Sequence, residues 1–174
     1  MVYIALFAAI IGALGVFPPL MIIQVPITAQ TLGVMLAGAI LGARRGALAV
    51  LLFLLLVAVG VPALAGGRGG FGVFLGPSGG FLIGFPVGAF VIGLLTERYW
   101  DRLRFGSAVA FNLIGGIAVI YAFGIPWLAF TAELPLLKAA AGAAVFIPGD
   151  VAKAVIAGYV AVTVKRAYPL IQQT

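Results

Sequence analysis

Long apolar segments, separated by short polar connections, are the feature that most constrains this chain. Six segments approach the roughly 20 apolar residues that a helix needs to cross a bilayer. They cover about 2–17, 28–43, 46–61, 79–96, 106–125 and 149–167. A helix satisfies its own backbone hydrogen bonds inside a bilayer. The sequence therefore predicts an all-α integral membrane protein, a bundle of six transmembrane helices that forms a single domain over residues 1–174.

Charged residues are too few for a soluble enzyme. Ten Lys or Arg and four Asp or Glu occur in 174 residues, and the mean hydropathy is +1.29. Cys and His do not occur in the sequence, which excludes disulfides, Cys/His metal sites and His-based acid–base catalysis. The sequence also lacks the G-K-S/T of an ATP-binding P-loop. We expect no catalytic activity, no cofactor, no bound metal and no nucleic-acid partner.

Lys and Arg are distributed unevenly between the two sides of the six-span arrangement. Two, Arg68 and Lys138, fall on one side, and seven fall on the other: Arg44, Arg45, Arg98, Arg102, Arg104, Lys165 and Arg166. Because cytoplasmic loops carry the excess of basic residues, we predict a cell-membrane protein with both termini in the cytoplasm. The loops at 18–27, 62–78 and 126–147 then face outward and are long enough to form lids. The first segment has no basic residues before it, so we expect a retained span and not a signal peptide.

The start of the last span contains a carboxylate and an ammonium. Pro148 and Gly149 are expected to begin this helix, after a separate short helix over 135–147. Asp150 and Lys153 then share one helix face near the outer membrane surface. Ionisable residues inside a span indicate a functional site, and this pair is suited to holding a small polar molecule. The alternative is a structural ion pair that locks the helix, although burying two ions for that purpose is costly.

Two further outer segments are rich in glycine or polar residues. The loop GGRGGFGVFLGPSGG, residues 66–80, predicts a backbone that closely approaches a ligand or a helix. Its Arg68 is either a solvated charge or a donor to a ligand or gate. Polar residues also mark the entry to the second span: Gln24, Thr28, Gln30 and Thr31. They either cap the helix and bond to its neighbours or form part of a pocket wall. The single amide of the fifth span, Asn112, is interpreted as an interhelical contact.

Small residues repeat every four positions in the first span. Ala5, Ala9 and Ala13 form a flat stripe that permits close helix packing. The stripe serves either internal packing or docking to another subunit.

The order of motifs along most of the chain, from Ala5 to Arg166, resembles the BioY family. The resemblance rests on VPITAQTLG, GARRG, GGRGGFG, LGPSGG and LIGFP, followed by FIPGDVAK. Ser78 stands where Thr is expected, which keeps the hydroxyl. The resemblance implies a biotin-specific substrate-capture subunit, the S-component, of an energy-coupling-factor (ECF) transporter. It also implies a substrate-binding pocket near the outer face, and a transmembrane coupling protein and two ATPase subunits as partners.

The resemblance further implies roles for individual residues. Asp150 and Lys153 match the Asp and Lys of the family's last helix that are implicated in biotin binding, and the alanine stripe matches the docking surface for the coupling protein. Plausible apolar walls for the ring and tail of biotin are Phe71, Phe74, Tyr121 and Trp127. The alternatives are a capture subunit for another small vitamin or a solitary proton-coupled carrier that uses Asp150.

Overall fold

Helices account for most of the described backbone. The computed structural model describes residues 1–16, 20–22, 25–167 and 171. Its α-helices are α1 (Val2–Leu14), α2 (Gln30–Leu41), α3 (Ala43–Ala58), α4 (Gly79–Arg98), α5 (Phe105–Leu113), α6 (Ile120–Thr131), α7 (Leu136–Ala144) and α8 (Ile147–Ala167). A π-helical segment, Ile114–Val119, joins α5 to α6 without a break. Counted with this continuous segment as one, the described residues form seven helices.

Each predicted span coincides with one of these helices, and the predicted short helix before the last span is α7. Within the described residues, three helices are long and apolar enough to cross a membrane: Gly79–Arg98, Phe105–Thr131 and Ile147–Ala167. The continuous helix formed by α5, the π-helical segment and α6 corresponds to the fifth predicted span. It ends at Thr131, beyond the predicted end near residue 125, and Pro126 lies within it. Residue 17, the predicted end of the first span, and Gln24 lie outside the described residues.

The loop after α1 contains the two short strands of the described structure. Strands β1 (Leu20–Ile22) and β2 (Val25–Ile27) pair antiparallel, with Leu20 opposite Ile27. A single short hairpin is marginal on its own, so it depends on the helices around it. We predicted a loop over residues 18–27, and this short hairpin lies within it; apart from these two strands, the described elements are helical.

Glycines bring the helices of the bundle into backbone contact. A methyl group added at Gly38 of α2 would lie 2.5 Å from the carbonyl oxygen of Ala89 in α4. One added at Gly93 of α4 would lie 2.3 Å from the backbone nitrogen of Ala43 in α3. Small residues drive helix association inside membranes because close approach increases van der Waals contact. The sequence therefore specifies tight crossings of α4 with both α2 and α3.

The turn between α2 and α3 is held by a residue of α4. Gly42 has a φ of 85°, a conformation that side-chain-bearing residues rarely adopt. The Glu97 carboxylate accepts a hydrogen bond from the backbone N–H of Ala43 at 2.9 Å, at the positive end of α3. This contact fixes the end of the bundle that lies opposite the cavity described below.

Candidate functional site

Most of the polar side chains predicted to be functional line one cavity. Its lining residues are Thr28, Gln30, Thr31, Leu64, Arg68, Ser78, Phe81, Leu82, Phe85, Ile120, Tyr121, Phe146, Asp150 and Lys153. The cavity volume that the centre of a water molecule can reach is about 60 Å³. The first turns of α2 and α8, and Ser78 just before α4, all reach this cavity. Three helix N-termini, whose partial charges are positive, therefore surround it.

Asp150 is the centre of a hydrogen-bond network on the cavity wall. Its side chain is buried, with a relative exposure of 4% for the residue. Oδ1 accepts hydrogen bonds from the Lys153 ammonium at 2.9 Å and from the Thr31 hydroxyl at 3.1 Å. Oδ2 accepts a hydrogen bond from the Tyr121 hydroxyl at 2.6 Å. Two uncharged donors and one cation thus compensate the burial of this carboxylate.

The Lys153 ammonium has used all of its donors. Besides Asp150, it donates to the Thr28 carbonyl oxygen at 2.6 Å and to the Thr31 hydroxyl oxygen at 2.9 Å. An ammonium has three N–H groups, so a ligand can bond to it only by replacing one of these partners. In this arrangement Lys153 joins the start of α2 to α8 and orients the Asp150 carboxylate.

Asp150 and Arg68 retain capacity for a ligand. A carboxylate accepts about four hydrogen bonds, and Asp150 receives three from the described residues. Arg68 donates from Nε to the Ala65 carbonyl oxygen at 3.3 Å, its single side-chain hydrogen bond within the ranges that the structure describes. A guanidinium carries five N–H donors. The cavity therefore offers a hydrogen-bond acceptor at Asp150 and a cationic donor at Arg68.

The rest of the cavity wall is apolar. Aromatic and aliphatic side chains from α4, from α6 and from Phe146, the residue before α8, cover it: Phe81, Leu82, Phe85, Ile120 and Phe146. The rings of Phe81 and Tyr121 pack edge to face, with centroids 5.8 Å apart. Apolar walls with a few convergent polar groups are the usual composition of small-molecule sites. The site suits a small molecule with an apolar body, N–H donors and an anionic or polar end.

The other sequence-predicted residues lie in several places. Thr28 lines the cavity, and its carbonyl oxygen accepts a hydrogen bond from Lys153. It is not the N-cap of α2, because Ala29 occupies that position. Gln30 also borders the cavity, but its amide bonds elsewhere. Phe71, Phe74 and Trp127 are not among the lining residues. Phe71 is 68% exposed, and Trp127 donates from its indole nitrogen to the Gly76 carbonyl oxygen at 3.0 Å.

Asn112 and the alanine stripe occupy other parts of the fold. The Asn112 side chain is buried and donates to the Ala108 carbonyl oxygen of its own helix at 2.8 Å, so this hydrogen bond does not join two helices. Ala5, Ala9 and Ala13 are all exposed on α1. The stripe is therefore available to a partner and is not used in packing within the described chain.

Several lining residues were not predicted as site residues. The sequence offers Thr31 as part of a pocket wall only as one of two alternatives, and it does not single out Ser78, Phe81, Phe85 or Phe146 as wall residues. Their helical spacing was available as a signal. Phe81 and Phe85 are four residues apart on α4, and Phe146 precedes Asp150 by four, so each pair lies on one face. Without knowing which faces meet, the sequence could not distinguish these phenylalanines from lipid-facing ones.

Comparison with known proteins gives a consistent result. A family model described as "BioY family" matches residues 1–170. The chain is 55% identical over 178 residues to a protein named biotin transporter BioY from Rhizobium etli, which covers 98% of this chain and 95% of the relative. It is 51% identical over 177 residues to the biotin transporter BioY of Rhodobacter capsulatus, covering 95% and 93% of the two chains.

A solved structure matches the fold. It is described as the S-component for biotin from an ECF-type ABC transporter, and it superposes with a TM-score of 0.89 at 35% identity. The match covers 95% of this chain and 89% of the other. The helical arrangement is therefore that of a membrane S-component, and on the family match and the close relatives together, the chain belongs to the BioY family.

Proposed function

We propose that this chain captures biotin from outside the cell as the membrane-embedded S-component of an ECF-type transporter. The names of its relatives and of the matching structure support this function. The observation that carries it is the Asp150 network, a buried carboxylate with unused acceptor capacity on the wall of a largely apolar cavity. The subunit performs no covalent chemistry, and ATP is hydrolysed by partner subunits.

Biotin offers groups that complement both polar ends of the cavity. Its ureido ring carries two N–H donors, and its valerate tail ends in a carboxylate. An N–H of the ureido ring bonds to Asp150, because this side chain has acceptor capacity left. The carboxylate pairs with Arg68, because the donors of Lys153 are already taken, whereas among the described residues Arg68 uses only its Nε donor. The fused rings and the aliphatic tail lie against the phenylalanine walls.

The proposed orientation places this cavity at the outer face of the membrane. Six of the seven helices cross the bilayer, α7 does not, and both termini lie in the cytoplasm. The excess of Lys and Arg on one side of this arrangement supports the orientation. Biotin then enters between the outer loops, which close over it.

The partners follow from the S-component fold. A transmembrane coupling protein docks on the exposed stripe formed by Ala5, Ala9 and Ala13, and two ATPase subunits bind to that coupling protein. The stripe supports the proposal because it is exposed and composed of small residues, so another helix can approach its backbone closely. The loaded subunit reorients against the coupling protein and releases biotin inward.

Calorimetry on the purified protein tests the proposal. Asp150→Asn and Lys153→Ala each remove a charge from the buried pair and leave the other uncompensated, so each weakens biotin binding by about tenfold or more. Lys138→Ala removes an exposed lysine of α7 and serves as the control, with unchanged affinity. Desthiobiotin competes with biotin, whereas thiamin and riboflavin do not. Unchanged affinity in both site variants would reject the site, and competition by another vitamin would reject the substrate.

A further inference from the structure

The side chain of Gln30 joins three segments of the chain. Its relative exposure is 1%. Nε2 donates to the Ile11 carbonyl oxygen in α1 at 3.3 Å and to the Ala63 carbonyl oxygen at 3.0 Å. Oε1 accepts a hydrogen bond from the backbone N–H of Ala65 at 3.2 Å. Both amide hydrogens and the amide oxygen are thus bound to backbone groups of other segments.

The segment that Gln30 holds leads directly to the cavity. We call residues 63–68 the outer turn. Within it, the backbone N–H of Leu64 donates to the Arg68 carbonyl oxygen at 3.0 Å, and Arg68 Nε donates to the Ala65 carbonyl oxygen. Leu64 and Arg68 both line the cavity. A displacement of the outer turn by a ligand therefore acts on the groups that Gln30 binds.

The neighbours of Gln30 in sequence contact the charged pair. Thr28 provides the carbonyl that Lys153 binds, and Thr31 donates its hydroxyl to Asp150. The Gln30 amide bonds instead to α1 and the outer turn. The short segment from Thr28 to Thr31 thus contacts the charged pair through its two threonines and α1 through Gln30.

The end of α1 packs on the outer turn at the same place. A methyl group added at Gly15 would lie 2.4 Å from the Ala63 carbonyl oxygen and 3.0 Å from Gln30 Nε2. One added at Gly12 would lie 3.8 Å from the Ala63 side chain, which is an ordinary contact. We call the contact of Gly15 and Gln30 with Ala63 the junction. A methyl group added to α1 is therefore not tolerated at Gly15 and is tolerated at Gly12.

We infer that Gln30 is a positioning residue that couples occupancy of the biotin cavity to the position of α1, the proposed docking helix. Ligand contact at Arg68, Thr31 and the charged pair moves the outer turn and the start of α2, and the Gln30 amide passes this movement to Ile11. The docking surface then differs between the empty and the loaded subunit. The inference rests on the proposed function, because it gives α1 its docking role.

Two variants break the junction from opposite sides. Gln30→Met keeps a similar length but removes all of the amide's hydrogen bonds. Gly15→Ala leaves Gln30 in place and forces α1 away from Ala63, so it tests the same junction if Gln30→Met fails to fold. Gly12→Ala is the matched control, because it adds the same methyl group to the same helix without a clash.

Single spin labels report the two ends of the coupling. The sequence contains no Cys, so Val16→Cys at the end of α1 and Leu75→Cys beyond the outer turn each carry one label. These positions are 84% and 64% exposed. Electron paramagnetic resonance then measures label mobility without biotin and with saturating biotin, the latter set by calorimetry for each variant.

In the otherwise unchanged chain and in Gly12→Ala, we expect biotin to reduce the mobility of both labels. In Gln30→Met and Gly15→Ala, the label at position 75 still responds and the response at position 16 is lost. A response at position 16 that persists in both variants, or that is missing from the unchanged chain, would overturn the inference. Absence of biotin binding in the calorimeter would instead overturn the proposed function, and this inference with it.

Discussion

At the scale of single residues, the protein buries a charged pair where neutral residues would cost less. Removing two ions from water is expensive, and an ion pair regains that free energy only when its remaining donors and acceptors are also bonded. Asp150 and Lys153 meet this condition through Thr31, Tyr121 and the Thr28 carbonyl. Asp150 also lies in the first turn of α8, where a negative charge is favoured. The arrangement holds a carboxylate ready to bind a ligand donor.

Tyr121→Phe tests the contribution of the neutral donor. The change removes the hydroxyl that donates to Asp150 Oδ2 and leaves the ring packed on Phe81. A hydrogen bond to a charged group contributes about 1.5–3 kcal/mol, so we expect biotin affinity to fall by about tenfold or more. Tyr159→Phe alters an exposed tyrosine of α8 and is the control. Equal affinities for the two variants in a calorimetric titration would show that the Tyr121 hydroxyl does not position Asp150 for the ligand.

Arg68→Gln tests which group of biotin meets the outer turn. If Arg68 pairs with the valerate carboxylate, the variant binds biotin about tenfold more weakly than the unchanged protein does. For biotin whose carboxylate has been converted to an amide, the variant and the unchanged protein have equal affinities. Lys138→Gln removes one positive charge from an exposed position and controls for net charge. Competition titrations with both ligands measure the difference. An equal loss for both ligands would contradict the assigned orientation.

Some residues of the site were predictable from sequence and others were not. Asp150 and Lys153 stand out because charges are rare in apolar segments and their spacing puts them on one helix face. The sequence suggests Phe71 and Trp127 as wall residues because they lie in or near the predicted outer loops, whereas Phe81 and Phe85 of α4 line the cavity that the structure shows. Which face of an apolar helix turns inward depends on contacts with other helices, and local sequence does not contain that information.

At the scale of the elements, glycine positions set how closely the helices cross. Hydropathy predicted the helix ends to within a few residues, because the bilayer fixes the length of an apolar span, except at Thr131, which lies beyond the predicted end near residue 125. It did not predict the β1–β2 hairpin or the π-helical segment at Ile114–Val119. Hydropathy gives no information on either, since both depend on local backbone geometry. The crossing of α2 with α4 depends on Gly38, where the backbones touch.

Gly38→Ala is expected to destabilise the bundle. The added methyl group lies 2.5 Å from the Ala89 carbonyl oxygen and 2.9 Å from Ile92 Cβ, and overpacking of this kind costs about 1–3 kcal/mol. Gly106→Ala in α5 meets no atom within 4 Å, and alanine favours a helix, so this control keeps or raises stability. Thermal unfolding of the purified proteins, followed by tryptophan fluorescence, compares them. Equal melting temperatures would contradict the close crossing.

At the scale of the whole molecule, the proposed function uses two surfaces. We propose that the cavity binds the substrate and that the exposed alanine stripe of α1 docks a partner. Both surfaces meet the first turn of α2, where Thr31 contacts Asp150 and Gln30 contacts Ile11. Under this proposal, a single turn of helix links substrate capture to docking.

Ala9→Trp tests the docking surface. A large side chain prevents another helix from approaching the stripe closely, so the variant should lose co-purification with the coupling protein and the ATPase subunits. Biotin affinity should not change, because Ala9 is exposed on α1 and does not line the cavity. Ala110→Trp places the same side chain at an exposed position of α5 and should retain the partners. Loss of partners from both variants, or from neither, would contradict docking at α1.

A structure of the protein with bound biotin distinguishes a substrate site from a structural ion pair. We expect the vitamin among Phe81, Phe85 and Tyr121, with a ureido N–H within hydrogen-bond distance of Asp150 and the carboxylate beside Arg68. Lys153 should remain bonded to Asp150 and the start of α2. If Asp150 and Lys153 contact only each other and the protein, with biotin elsewhere, the charged pair is an internal brace and the proposed site is wrong.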